Sequence, residues 1–343
     1  MPPRRTLISA ALAGLITPAR APPLTEWEAF KVRFLHPDGR VVDTGNGGVS
    51  HTEGQGWGLL FAVTFDDPVA FKAILDWTTR TLRRSRDALH SWRYVPSAAN
   101  QVPDTNNATD GDLFIAMGLS RAARRWSRPD YAVTAAAITQ DVLRLLVRRT
   151  GPWTLLLPGV KGFETQQTFT LNPSYYVFPA LQELATRTRD PLWSTVCTDG
   201  LTLIRDGRFG RWMLPPDWLQ ISRKDGTLEP ASGWPSRFSY DAIRVPLYLT
   251  WTRQMHPAVD AAFQAYWAEQ SPVLPSWVNV VTGATAPYAA PPGMLAISKL
   301  SVTSPMVLDI PVDFPSVATA PDYYSAALIL LARIAWQESR QPG

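Results

Sequence analysis

Glu53, Asp110 and Asp241 are the residues of this chain whose surroundings suggest chemistry. Glu53 sits among glycines in Ser50-His51-Thr52-Glu53-Gly54-Gln55-Gly56-Trp57-Gly58, and Asp110 precedes an apolar run in Thr109-Asp110-Gly111-Asp112-Leu113-Phe114-Ile115-Ala116. Asp241 stands three residues before Arg244 in Ser239-Tyr240-Asp241-Ala242-Ile243-Arg244. Paired carboxyl groups divide acid and base work: the protonated one helps a leaving oxygen depart, and the ionised one activates water or attacks.

Each acid also has an ordinary structural reading. Ser50 and Glu53 have the Ser-x-x-Glu spacing of a capping box, which satisfies N–H groups at a helix start. Thr109 or Asp110 could be the N-cap of a helix that begins near Leu113. Asp241 and Arg244 would share one face of a helix, either as a surface ion pair or with the guanidinium orienting a working carboxylate. Gly54, Gly56 and Gly58 weigh against a purely structural Glu53, because glycine costs ~1 kcal/mol per helix position relative to alanine and three of them imply a close approach to the backbone.

Together the three segments resemble glycoside hydrolase family 8. The run Glu53-Gly54-Gln55-Gly56-Trp57-Gly58 matches the family's E-G-Q-G-[YW]-G motif without a gap, and Ala108 to Trp126 follows its A-[ST]-D-[AG]-D-x-x-[IM]-A signature, departing at Gly118 and Ser120. Ser239 to Arg244 matches the segment that carries the family's general base. The resemblance runs from Trp27 to Ser325, and within the family it is to the endoglucanases encoded with bacterial cellulose synthase. It implies an inverting endo-β-1,4-glucanase in which Glu53 is the general acid, Asp241 the general base, and Asp110 the residue that holds the distorted sugar ring; Asp112 is then structural. A sugar chain passing over the glycines would explain them. Xylanase, lichenase and chitosanase activities remain open on the same acids, although family members without Asp241 belong mainly to the chitosanase side. A glucan-binding accessory subunit of the cellulose synthase complex, binding without cutting, is the alternative outside enzymes.

Aromatic faces stack on the apolar faces of sugars, and the chain has 14 Trp and 10 Tyr with which to do so. Trp92, Tyr175, Trp234 and Tyr240 fall in or near the family-like segments and are expected in the cleft. Gln55, Asn172 and Arg244 are expected to bind substrate through polar groups, with helix capping the competing role for Asn172. His36, His51, His90 and His256 are too scattered for a zinc site, so neither metal nor cofactor is expected.

The N-terminus reads as a secretory leader over residues 1–21: Arg4-Arg5, an apolar stretch from Leu7 to Ile16, and small residues around Ala19-Arg20-Ala21. Cleavage would follow Ala19 or Ala21, and the arginine pair also fits a twin-arginine signal. The mature catalytic domain, 22–343, is then expected in the periplasm or medium. Without the three leader arginines the formal charge falls from +4 to +1, which gives no electrostatic reason for a nucleic-acid or membrane partner. No later segment has the ~18 uninterrupted apolar residues of a membrane span. A single cysteine, Cys197, excludes an intramolecular disulfide and reads as core.

These residues must be positioned by helices. Apolar periodicity predicts helices at 25–35, 54–65, 68–86, 111–127, 129–149, 174–188, 191–205, 239–253, 258–269 and 321–337, with Pro68, Pro191 and Pro257 in first turns. Trp153–Leu157 and Gln167–Leu171 read as a small β-hairpin around Pro158-Gly159, and the Pro-rich stretch 271–321 as an irregular wrap. The pattern is all-α and fits one domain; the family resemblance makes it an (α/α)6 barrel of six helical hairpins.

Overall fold

The computed structural model describes residues 25–302 and 312–340; the expected leader lies outside them. Eleven α-helices are formed by the described residues: α1 (Glu26–Phe34), α2 (Thr52–Thr64), α3 (Pro68–Leu82), α4 (Thr109–Arg125), α5 (Pro129–Leu146), α6 (Phe178–Thr188), α7 (Pro191–Asp206), α8 (Arg244–Trp251), α9 (Pro257–Glu269), α10 (Pro292–Val302) and α11 (Tyr323–Glu338). Proline in the first turn starts α3, α5, α7 and α9, and Asp67, Asp190 and His256 cap three of these with side-chain acceptors.

Burial sorts the helices into two layers. All eight residues of α8, 11 of 13 in α2 and 13 of 17 in α4 are buried, whereas α5 buries only 6 of 18 and α9 only 4 of 13. The first kind is surrounded by protein and the second is amphipathic, with one face in water. Thus α2, α4, α6, α8, α10 and α11 form the inner ring, and α1, α3, α5, α7 and α9 pack outside it, which is the (α/α)6 barrel. Because an outer helix separates most inner ones, the inner helices run the same way and bring their N-termini to one end.

Two glycines set how closely the ring packs. A Cβ on Gly111 would lie 2.2 Å from Thr52 Oγ1, and one on Gly56 would lie 2.6 Å from Phe114 Cβ, so α2 and α4 meet where neither can carry a side chain. Gly54 similarly makes room for the Tyr323 hydroxyl. The close approach expected at these glycines is therefore made by protein, and not by a sugar chain.

Small antiparallel sheets decorate the end at which the inner N-termini gather. β1 (Ser50–His51) pairs with β2 (Arg93–Tyr94), and β3 (Val147–Thr150) with β4 (Trp153–Leu156). β5 (Thr168–Leu171), β6 (Leu219–Ser222) and β7 (Leu228–Pro230) form a three-stranded sheet, and β8 (Arg237–Phe238) pairs with β9 (Val278–Asn279). The expected hairpin is corrected: its two segments are both strands, but each pairs elsewhere, β4 with the chain just before it and β5 with β6. Residues 147–149, read as the end of a helix, are strand for the same reason. The Pro-rich region is also corrected, since it contains the inner helix α10, which starts at Pro292 directly after Pro291. The helix expected from 239 begins at Arg244, because residues 239–243 are held in a turn described below.

Candidate active site

Each candidate acid occupies the N-terminal end of an inner helix. Glu53 is in the first turn of α2, Asp110 in the first turn of α4, and Asp241 in the turn that feeds α8. The positive ends of these helices favour negative groups there. Neither capping reading holds. The N-caps of α2 and α4 are His51 and Ala108, neither making a side-chain cap bond, and Ser50 Oγ donates to the Val41 carbonyl instead.

Arg244 gathers the three acids. Its Nη1 contacts Glu53 Oε2 and lies 3.3 Å from Asp110 Oδ2, while its Nη2 donates to Asp241 Oδ1 at 2.6 Å and to Ser174 Oγ at 3.0 Å. Only 2% of the Arg244 side chain is exposed, so the expectation that it binds substrate is corrected: it organises carboxylates from beneath. Gln55, also expected to bind substrate, is fully buried. Its Oε1 accepts from Val41 N–H and its Nε2 donates to Thr78 Oγ1, so the amide braces the loop behind α2. Asn172 takes its capping role, accepting from Ser174 N–H and Oγ–H, and its amide also stands close enough to Asp241 to favour the ionised form.

One guanidinium cannot neutralise the acids around it. Burial first, and then the neighbouring Asp112 carboxylate, hold the Asp110 pKa up at about 7 against the Gly111 N–H, which favours the charged form. Asp241 is pushed well above the carboxylate range, first by removal from bulk water and then by Asp217 and Asp110, although 31% of its side chain still reaches solvent. Asp112 is spent on structure: Oδ1 accepts from the His90 backbone N–H and lies 2.9 Å from His90 Nδ1, and Oδ2 accepts from Asn107 Nδ2.

Glu53 and Asp110 line a depression with His51, Thr52, Trp92, Ala108 and Tyr175. Trp92 lies parallel to His51 on one side, and burial keeps His51 neutral with a pKa lowered to about 4. On the other side Tyr175 leads to a stack of Phe163, Trp218 and Trp234, the last two with ring centroids 4.0 Å apart. Trp234 and Tyr240 are each 43% exposed, as cleft residues can be. Trp218 and Asp217 were not singled out from the sequence. Pro215-Pro216-Asp217-Trp218, a turn carrying an acid and an aromatic residue, is the signal that could have found them. Among the described residues, no group of three or more His, Cys, Asp or Glu could hold a metal ion, and no helix is long and apolar enough to cross a membrane.

Comparison with known proteins identifies the family. A "Probable endoglucanase" of Novacetimonas hansenii is 49% identical over 314 residues, covering 91% of this chain and 90% of that protein. An "Endoglucanase" of Cellulomonas uda is 42% identical, covering 89% of this chain and 85% of that one. The structure of an endo-beta-1,4-glucanase from Acetobacter xylinum superposes with a TM-score of 0.87 at 48% identity, over 92% of this chain and 98% of that chain. The model for glycosyl hydrolases family 8 matches residues 3–338, and with an arginine-centred set of acids at the mouth of a double helical barrel, this chain belongs to glycosyl hydrolases family 8.

Proposed function

We propose that the protein is an endo-β-1,4-glucanase that cuts internal bonds of cellulose or soluble β-glucan with inversion. The observation that carries this reading is the convergence of Glu53, Asp110 and Asp241 on Arg244 between two aromatic walls. Its relatives, named as endoglucanases, support the substrate. In the reaction, Asp241 takes a proton from water as the water oxygen bonds to the anomeric carbon. The glycosidic C–O bond breaks, and the departing oxygen receives the proton of Glu53. Asp110 shares Arg244 Nη1 with Glu53 and is suited to a ring that gains positive charge in the transition state.

Asp110 and Asp241 hold protons more tightly than ordinary acids, in both cases first because of burial, while Glu53 contacts the Arg244 guanidinium. A sugar entering beside Glu53 must part it from Arg244 before it can act as the acid. An activated substrate separates the roles. A cellobioside whose leaving group needs no protonation should remain a good substrate for Glu53→Gln and a poor one for Asp241→Asn; the reverse pattern exchanges the two roles.

Reducing ends released from carboxymethylcellulose, xylan, mixed-linkage glucan and chitosan test the substrate, with carboxymethylcellulose expected to lead. Proton NMR of fresh cello-oligosaccharide digests tests inversion, with the α-anomer expected first. No released ends from any of the four would favour a binding subunit. The proposal includes export, supported by the composition of residues 1–21, and a role in trimming cellulose as it is secreted, supported by the resemblance to endoglucanases encoded with cellulose synthase. Cell fractionation, with the N-terminus of the exported form near residue 20 or 22, tests the first part. Altered cellulose after deletion of the gene tests the second.

A further inference from the structure

Asp217 is a buried carboxylate, 8% exposed, that the reaction does not use. It lies just before β6, where its N–H donates to the Arg237 carbonyl at 2.6 Å. Its Oδ1 accepts from the N–H groups of Ser239, at 3.0 Å, and Ala242, at 2.8 Å, and its Oδ2 accepts from Ser239 Oγ–H. All three donors belong to the turn that contains Asp241.

That turn has few bonds of its own. Ile243 N–H donates to the Ser239 carbonyl, and Arg244 N–H to the Asp241 carbonyl, which begins α8. Ser239 and Ala242, on either side of Tyr240 and Asp241, are buried, so without Asp217 their N–H groups would be left without partners. Asp217 acts on this turn as an N-cap acts on a helix, but from a strand more than twenty residues away. The next residue reaches the same target, since the Trp218 indole favours the ionised form of Asp241. One dipeptide therefore holds both the backbone and the carboxylate of Asp241.

We propose that Asp217 is a positioning residue for Asp241: through its bonds to Ser239 and Ala242 it fixes the turn that aims the Asp241 carboxylate. This rests on the reading of Asp241 as the general base. The groups that face Asp241 are Arg244 and Tyr248 from α8, Asp110 from α4, Glu53 from α2 across the guanidinium, Tyr324 from α11, Tyr175 and Asn172 ahead of α6, and Trp218 and Asp217 ahead of β6. Arg244 is the single cation in that shell and is already shared by three acids. Burial raises the Asp217 pKa above the ordinary carboxylate value, and its donors Ser239 and Ala242 act against that rise by favouring the charged form.

Asp217→Asn is the test, because asparagine keeps an acceptor for the two N–H groups while its amide can donate to Ser239 Oγ. The fold should persist while the charge is lost. In the purified full chain acting on cello-oligosaccharides, kcat should fall about tenfold or more, with KM within about twofold. The acid limb of the kcat/KM profile should move to lower pH by about half a unit or more, since after burial Asp217 is the next cause that raises Asp241. A lowered Tm with kcat and the acid limb both unchanged would reduce Asp217 to a structural residue and overturn the proposal. If Asp217→Asn does not fold, Ser239→Ala removes one donor only: a loss in kcat of about threefold at unchanged Tm supports the proposal, and an unchanged kcat overturns it. Asp241→Asn measured alongside keeps the two readings apart. Activity retained there ends the base assignment, whatever Asp217 does. Movement of the basic limb in Asp217→Asn would make Asp241 the acid and leave the positioning role standing.

Discussion

The two ends of the barrel solve the same electrostatic problem in opposite ways. At the N-terminal end of the inner helices, one buried arginine faces three acids, Glu53, Asp110 and Asp241, with Asp217 and Asp112 behind them. Toward the C-terminal ends, Arg121 of α4 pairs with Glu183 of α6 and bidentately with Glu338 of α11. Arg124 also reaches Glu183, and the Trp251 indole of α8 donates to Glu338. Two cations there meet two anions, and four inner helices are tied together. Balance stabilises one end, while burial and then uncompensated neighbouring carboxylates at the other raise carboxyl pKa values and leave protons to move. That contrast is what separates a structural ion network from a reactive one.

The largest effect should come from breaking the reactive end. Glu53→Gln cannot donate a proton, so kcat on cellulosic substrates should fall at least ~10²–10⁴-fold. Glu53 makes no capping bond in this structure, and thermal melts should therefore show little change in Tm. An unaltered kcat with a lowered Tm would return Glu53 to a structural role.

Breaking the balanced end should do the reverse. Arg121→Met leaves Glu183 and Glu338 facing each other with only Arg124 nearby, and should cost about 3–5 kcal/mol in urea unfolding. Turnover per folded molecule should be unchanged at temperatures below the variant's transition. A kcat lost in proportion to stability would mean that the two ends are coupled.

Asp110→Asn sharpens the contrast through its sign. A carboxyl group whose pKa is raised on folding binds its proton more tightly in the native state. It then contributes stability below its unfolded pKa of 3.8, and that contribution is lost as pH rises through about 7. Replacing Asp110 removes this loss. The Tm of the variant relative to the parent should therefore rise between pH 4 and pH 8, while kcat falls on the order of 10²-fold. A Tm difference independent of pH would contradict the raised pKa. Full turnover in Asp110→Asn with an inactive Asp112→Asn would show that the other aspartate of the pair acts on substrate.

What could be read in the chain was local, and what could not was remote. Glu53, Asp110 and Asp241 stood out because each lies near a helix start within a short run of distinctive residues, and helix periodicity survives without knowledge of neighbours. Asp217 acts on residues 22 to 25 positions away, so no spacing announces it. Gln55 read as a substrate-binding residue because the protein that covers it, at Val41, Ile74 and Thr78, comes from other segments. The strands failed in pairing and not in type: alternation shows that Phe169 and Leu171 are inward, yet only the fold brings β6 beside them. α10 was hidden because it is short and lies inside a proline-rich stretch that as a whole lacks helical periodicity.

The smallest effects should come from tryptophans at the two ends. Trp234 is exposed at the cleft rim and stacked on Trp218, so its ring is available to a sugar without supporting the core. Stacking contacts of this kind are worth ~0.5–1.5 kcal/mol, which corresponds to about a twofold to tenfold change in binding. Trp234→Ala should raise KM for long cello-oligosaccharides by that factor, with Tm unchanged, and should affect short substrates less if the ring lies away from the cleaved bond. Trp251 is buried and its indole is occupied by Glu338. Trp251→Phe keeps most of the packing but leaves a charged acceptor short of one donor, which should cost ~1–2 kcal/mol in stability with KM untouched. If Trp234→Ala instead lowered stability and left KM alone, the aromatic stack beside Asp241 would be core, and the substrate would have to run along the His51–Trp92 side only.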